Sequence, residues 1–104
     1  MAIMNKIDVQ ACDNELIILA STAAQSSELC RLKSGYNAPV SDVFNPGHIL
    51  PKGNYELTVI GVNWGGPSNF KVICTDVNGQ SQTLQGGGST AAGVAYQKTI
   101  PMQI

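Results

Sequence analysis

The chain has 104 residues, a mass of 10.9 kDa and a formal net charge of -1, enough for one hydrophobic core and too little for two, so residues 1–104 read as a single domain. Charged residues make up 12% of it, about half the usual share, and Gly, Ser, Thr, Asn and Gln fill the deficit, which leaves a polar but nearly uncharged surface. Six basic residues scattered among seven acids exclude nucleic acid as a partner and a polybasic membrane patch, and the longest apolar run, Leu16 to Ala20, is far short of the roughly 20 residues that span a bilayer.

The first ten residues, MAIMNKIDVQ, lack a basic start, an apolar stretch and a small-residue cleavage site, so a chain made without a removable signal and resident in the cytoplasm is expected. NKIDVQAC alternates Ile7, Val9 and Ala11 against polar residues, as an amphipathic strand does. Asp13-Asn14 then reads as a turn and ELIILA as a second, more buried strand, the two forming a hairpin. TAAQSSELCRLKSG is ambiguous: Ser27 can cap a short helix near residues 26–33 that ends at Gly35, but Leu29, Arg31 and Lys33 set against Cys30 and Leu32 favour a strand. YNAPVSDVFNPGHILPKG carries three prolines and reads as loop with one short extended piece, Val40 to Phe44.

The second half is clearer. Pro51 and Gly53-Asn54 make a turn before a strand from Tyr55 to Trp64, followed by the turn residues GGPS, a strand from Asn69 to Val77, Asn78-Gly79, and a strand from Gln80 to Gln85. Asn-Gly between extended runs is a strong hairpin signal, because a type I′ turn needs positive φ at both central residues. Three strands in meander order are therefore expected. Gly86 to Gly93 reads as a flexible loop and VAYQKTIPMQI as a last strand, with Pro101 restricting it to an edge or a bulge. The apolar residues are odd-numbered from Tyr55 to Val59 and even-numbered at Ile60, Val62 and Trp64, so either a β-bulge sits at Gly61 or both faces of this strand are covered.

Seven or eight short strands with Gly, Pro and Asn punctuation predict a small antiparallel all-β domain, a β-sandwich or barrel. The stretch Gly53-Asn-Tyr55-Glu-Leu57-Thr-Val59 resembles the G-x-Y-x-L-x-V strand of many sandwich modules, lectin-like and adhesive ones among them, and implies architecture rather than activity.

The supply of catalytic groups is thin. His48 is the only histidine and sits in the proline-bounded loop NPGHILP, so no catalytic residue is assigned; an enzyme would have to combine His48 or Asp42 with Tyr36 or a cysteine. Cys12, Cys30 and Cys74 are odd in number and widely spaced, which suits three buried thiols better than a disulfide framework or a metal site, although a single Cys12–Cys30 bridge is open. Asp76 begins what looks like a calcium loop, but no acid follows it, and the glycines of GGGSTAAG lack the lysine of a phosphate cradle. No metal and no cofactor are expected.

Trp64 at a loop tip beside Asn63, Ser68 and Asn69 has the residue types of a carbohydrate site, an aromatic platform flanked by amides and a hydroxyl. Its parity with Ile60 and Val62 argues instead for packing. The expected function is a non-enzymatic, self-associating β domain, such as a trimer, that binds a small ligand at Trp64, Asn63, Asn69 and Ser68, the amides favouring a sugar and the second apolar face an apolar, lipid-like molecule. A structural or protein-interaction subunit docking through an unpaired strand edge is the alternative.

Overall fold

A computed structural model describes residues 2–34 and 42–104 as two four-stranded antiparallel sheets packed on one another, a body of 39 × 29 × 18 Å. The strands are β1 (Met4–Asp13), β2 (Glu15–Ser21), β3 (Ser26–Lys33), β4 (Asp42–Phe44), β5 (Asn54–Asn63), β6 (Asn69–Asp76), β7 (Ser81–Gly87) and β8 (Gly93–Gln103). One sheet runs β4-β1-β6-β7, the other β3-β2-β5-β8. The fold is thus the expected small β-sandwich. Between the sheets lie Ile7, Val9, Leu16, Ile18, Leu57, Val59, Phe70, Val72 and Met102, all fully buried. Among the described residues one 3-10 turn, Pro46–His48, interrupts the strands, with the Gly47 N–H donating to Asn45 Oδ1 at 2.8 Å.

Residues 26–33 are a strand, not the short helix, because they pair with β2 from Ser21–Ser26 to Glu15–Lys33 and turn Leu29, Cys30 and Leu32 toward the core. Of the expected short extended piece, the described part is Asp42–Phe44, paired with β1; Val40 and Ser41 lie outside the described residues.

Two expected hairpins are connections of a different kind. β1 and β2 lie in different sheets, so Asp13-Asn14 carries the chain across the sandwich rather than back along one sheet. β5 and β6 are likewise in different sheets, and the expected meander is broken at GGPS, where Gly65 and Gly66 take φ of 136° and 76° to make the crossing. Turn residues state that a chain reverses, not which sheet it joins. The in-sheet hairpins are β2–β3 and β6–β7. The Asn-Gly hairpin is present with different turn geometry: Asp76 N–H donates to Gln80 O (2.9 Å) and Gly79 N–H to Asp76 O (3.0 Å), with Gly79 at φ 81°. That closes a three-residue loop with glycine in the left-handed position, rather than a two-residue type I′ turn.

The alternation along β1 is reset twice. Register shifts between Met4 and Lys6 and between Val9 and Ala11 put Met4, Ile7, Val9 and Cys12 into the core and leave Ala11 half-buried. On β5 no such reset occurs: Leu57, Val59, Gly61 and Asn63 are all buried, while Ile60 and Val62 sit half-buried on the outer face. A bulge is indeed present at the Gly61–Val62 step, but its extra residue is Ala95 on β8. Gly61 itself holds a core position that has to be empty, since a Cβ there would meet the Phe70 ring at 2.8 Å.

The arrangement around Gly61 is reciprocal. Phe70 pairs in register with Gly86 in one sheet, and Tyr96 pairs with Gly61 in the other. Phe70 fills the space over Gly61, Tyr96 fills the space over Gly86, and the two rings stack at 6.4 Å and 20°. Each sheet thereby contributes one ring and one gap to the same layer of the core.

Candidate functional site

The chain crosses between sheets at Asn14, at residues 64–68 and at residues 88–92, and these connections gather at one end of the sandwich. Asn63 is the tie between them. It is 1% exposed, and its Nδ2 donates to the carbonyls of Gly66 (2.8 Å), Ala91 (3.0 Å) and Ser89 (3.3 Å). Ser68, also buried, donates its hydroxyl to Ser89 O at 2.8 Å, and its N–H goes to the same carbonyl at 3.1 Å.

Trp64 is 42% exposed, contrary to the expectation that it packs. Trp64 does share parity with Ile60 and Val62, but those residues define the outer face, and Asn63 occupies the core position at this end. The Trp64 backbone is held by its N–H donating to Asn14 Oδ1 at 2.9 Å. Of the four sequence-predicted site residues, Trp64 and Asn69 are exposed, whereas Asn63 and Ser68 are turned inward and bind loop carbonyls.

Asn14, read from sequence only as a turn residue, is fully buried beneath this end. Its N–H donates to Val62 O (3.2 Å), and its carbonyl accepts from Ser34 N–H (2.6 Å) and Ser34 Oγ (3.3 Å). An Asn after an Asp carries no sequence mark that separates this role from an ordinary turn. Asn14 Nδ2 and Asn63 Oδ1 are buried with no partner among the described residues, an arrangement that costs free energy.

The three cysteines are free thiols, so Cys12 and Cys30 are not bridged. Burial, with Cys30, Asp13 and Glu15 adding to it, pushes the Cys12 thiol up to about 12, and burial alone pushes Cys74 up to about 11. Burial also raises Cys30, with Asp42 and Glu28 contributing. Thiols held neutral in this way are poor nucleophiles. His48 is exposed on the 3-10 turn, where it lines a shallow groove of about 590 Å³ with Lys6, Val43, Phe44 and Ile49. No cysteine lines that groove, and Tyr36 lies outside the described residues.

The outer faces of the two sheets differ. On β2 and β5, the central strands of their sheet, Ile17 pairs with Ile60, and Leu19 and Val62 extend the apolar stripe to Val94 on β8, which is 64% exposed. Along the β3 side Arg31 bonds Glu15 at 3.1 Å and Glu28 at 2.6 Å, and Thr58 bonds Thr99 at 3.0 Å on the β8 side. The corresponding register positions of β1 and β6 carry Lys6, Asp8, Lys71 and Thr75, with Ile73 as the one large aliphatic. Among the described residues, no helix is long and apolar enough to cross a membrane. Comparison with protein-family models, with curated proteins and with solved structures finds no match.

Proposed function

We propose that the protein is a non-enzymatic binding module that works as an assembly of its own copies, meeting through the outer face of the β3-β2-β5-β8 sheet. The observation that carries this is the stripe Ile17, Leu19, Ile60, Val62 and Val94 on one face of a domain whose other face sets Ile73 and Val43 among Lys6, Asp8, Lys71 and Thr75. Aliphatic side chains on the outer side of central strands gain only when something covers them, and further burial of each contributes roughly 1 kcal/mol. A second copy brings the same stripe, which doubles the gain across a two-fold axis. Arg31 bridges both flanking carboxylates, Glu15 and Glu28, within a chain, and so offsets one of their two negative charges at the edge of the contact.

The ligand in this reading is a carbohydrate taken at the Trp64 end. An exposed ring on a backbone tied by Asn14 and Asn63 is a platform that does not have to be ordered at binding. Asn69, which opens β6 after the 64–68 crossing, is the exposed amide of the four residues, and Asn63 and Ser68 tie the crossing connections together. An apolar ligand would lie instead between copies, against the stripe. Free thiols suit a cytoplasmic address, where they stay reduced.

Native mass spectrometry of the purified chain tests both parts. A closed oligomer is expected, reduced by one step in size in Ile60→Lys, and a retained mass in hexose units that disappears in Trp64→Ala. A monomer at every concentration, or an Ile60→Lys variant with unchanged mass, would sink the assembly reading. A glycan array on which the chain and Trp64→Ala bind alike would sink the carbohydrate reading.

A further inference from the structure

Each sheet has two edges, and a sheet edge left open is a template for another strand. Two of the four are blunted, and of a third, β4, the described part is three residues, Asp42–Phe44. β3 carries a register irregularity opposite Ile18 and Leu19 and the charges Glu28, Arg31 and Lys33. β8 has the bulge at Ala95, a proline at 101, and Lys98 in register with core residue Val59, on the core-facing side of the edge. β7, Ser-Gln-Thr-Leu-Gln-Gly-Gly, has no charge, no proline and no break in its pairing with β6 from Thr75–Ser81 to Asn69–Gly87.

The direction of its free groups follows from the hairpin that precedes it. Asp76 N–H donates to Gln80 O, and bonding pairs alternate along an antiparallel ladder, so residues 82, 84 and 86 turn their backbone groups to β6 and residues 81, 83, 85 and 87 turn theirs outward. We infer that this row pairs with β7 of a second copy, antiparallel about a two-fold axis through Leu84, joining two four-stranded sheets into one continuous sheet.

That register sets Ser81 opposite Gly87 and Thr83 opposite Gln85, so every outward N–H and C=O of one copy meets a complementary group of the other. No other residue can serve as the centre without leaving outward groups unmatched. The strand's lack of charge supplies the complementarity: no like charges face each other. Lys71, the nearest cation on the outer face, stands on β6 beside Gln85. The two copies of it would be separated by three strand spacings, about 14 Å, beyond the screening length of roughly 8 Å at physiological salt.

The pairing adds a second contact to the self-association proposed above and rests on that reading only for the size of the full assembly; the edge itself is independent of the apolar stripe. Thr83→Pro separates the two. Its lost N–H is one that faces the open edge, so the β6 ladder keeps all its bonds. Gln85→Lys is the companion variant, placing a charge in the contact without touching the backbone. Masses are read for the chain, for Ile60→Lys, for each edge variant, and for the double variants.

The expected result is a tetramer or larger for the unaltered chain, a dimer of twice 10.9 kDa for Ile60→Lys, a dimer for either edge variant, and a monomer for the combination. Hydrogen exchange at Thr83, Gln85 and Gly87 should slow with rising protein concentration, while the amides of residues 82 and 84 are slow throughout. An Ile60→Lys monomer, with edge variants keeping the mass of the unaltered chain, overturns the edge contact and leaves the stripe. Edge variants that alone reduce the mass, with Ile60→Lys unchanged, support the edge and overturn the stripe. A monomer under all conditions, with fast exchange at residues 83 and 85, overturns both.

Discussion

Asn63 illustrates how a residue chosen for one role can serve another. Sequence placed it beside Trp64 as a ligand amide; the fold spends its donors on three loop carbonyls, Gly66, Ser89 and Ala91. Asn63→Ala should therefore cost about 1–3 kcal/mol, since it removes three part-buried hydrogen bonds that tie the crossing connections together, and lower the melting temperature by roughly 4–8 °C for each kcal/mol. Trp64→Ala, at a residue 42% exposed, should move the melting temperature far less, and on the proposed function should remove carbohydrate binding. The thiols give a second residue-scale expectation. Folding raises Cys74 from 9.0 to about 11 and Cys12 to about 12. The stability this contributes is complete below the unfolded value and is lost as pH climbs through the folded ones. Each thiol thus lowers stability by about 1.4 kcal/mol per pH unit in that interval. Urea midpoints measured from pH 8 to 11 should fall, and fall less steeply in Cys74→Ala; equal slopes would remove Cys74 from the account.

At the level of strands, what was legible in sequence was whatever local chemistry determines. The run from Tyr55 onward, the Asn-Gly reversal and the demotion of the Pro101 strand to an edge all rest on residues that act on their own neighbours. What was not legible depended on partners distant in sequence. Gly61 looked like a bulge marker or a change of face, because nothing near it announces the Phe70 ring that needs its space. Ala11 looked like core because the irregularity in β1 is visible only against β6. The candidate site divides in the same way: Trp64 at a loop tip could be read, whereas Asn14, Asn63 and Ser68 as its supports could not. Gly61→Ala and Gly86→Ala each force a Cβ into an occupied layer and should cost about 1–3 kcal/mol by overpacking, read as a drop in urea midpoint. Gly88→Ala, where a Cβ meets nothing within 4 Å but φ is 83°, should instead lose only the roughly 1 kcal/mol of a left-handed backbone position.

For the molecule as a whole, the two sheets divide the surface into a mixed, charge-bearing side, an apolar stripe and an end closed by crossing connections. The assembly contact and the ligand site proposed above lie in separate regions, so on that proposal Ile60→Lys should leave affinity per chain for a sugar unchanged while lowering avidity for a surface displaying many copies of it. Surface plasmon resonance on sparse and dense glycan layers reads the difference. The exchange of rings and gaps at Phe70, Gly61, Tyr96 and Gly86 adds a constraint on motion. Packed layers ordinarily adjust to ligands by small sliding displacements, but here each sheet has a ring lodged in the other's gap, and a slide in either direction drives both rings into backbone. A ligand taken at Trp64, as proposed above, would meet a body that resists shear, so on that proposal binding would be communicated through the number of copies brought together and not through a change in the shape of any one of them.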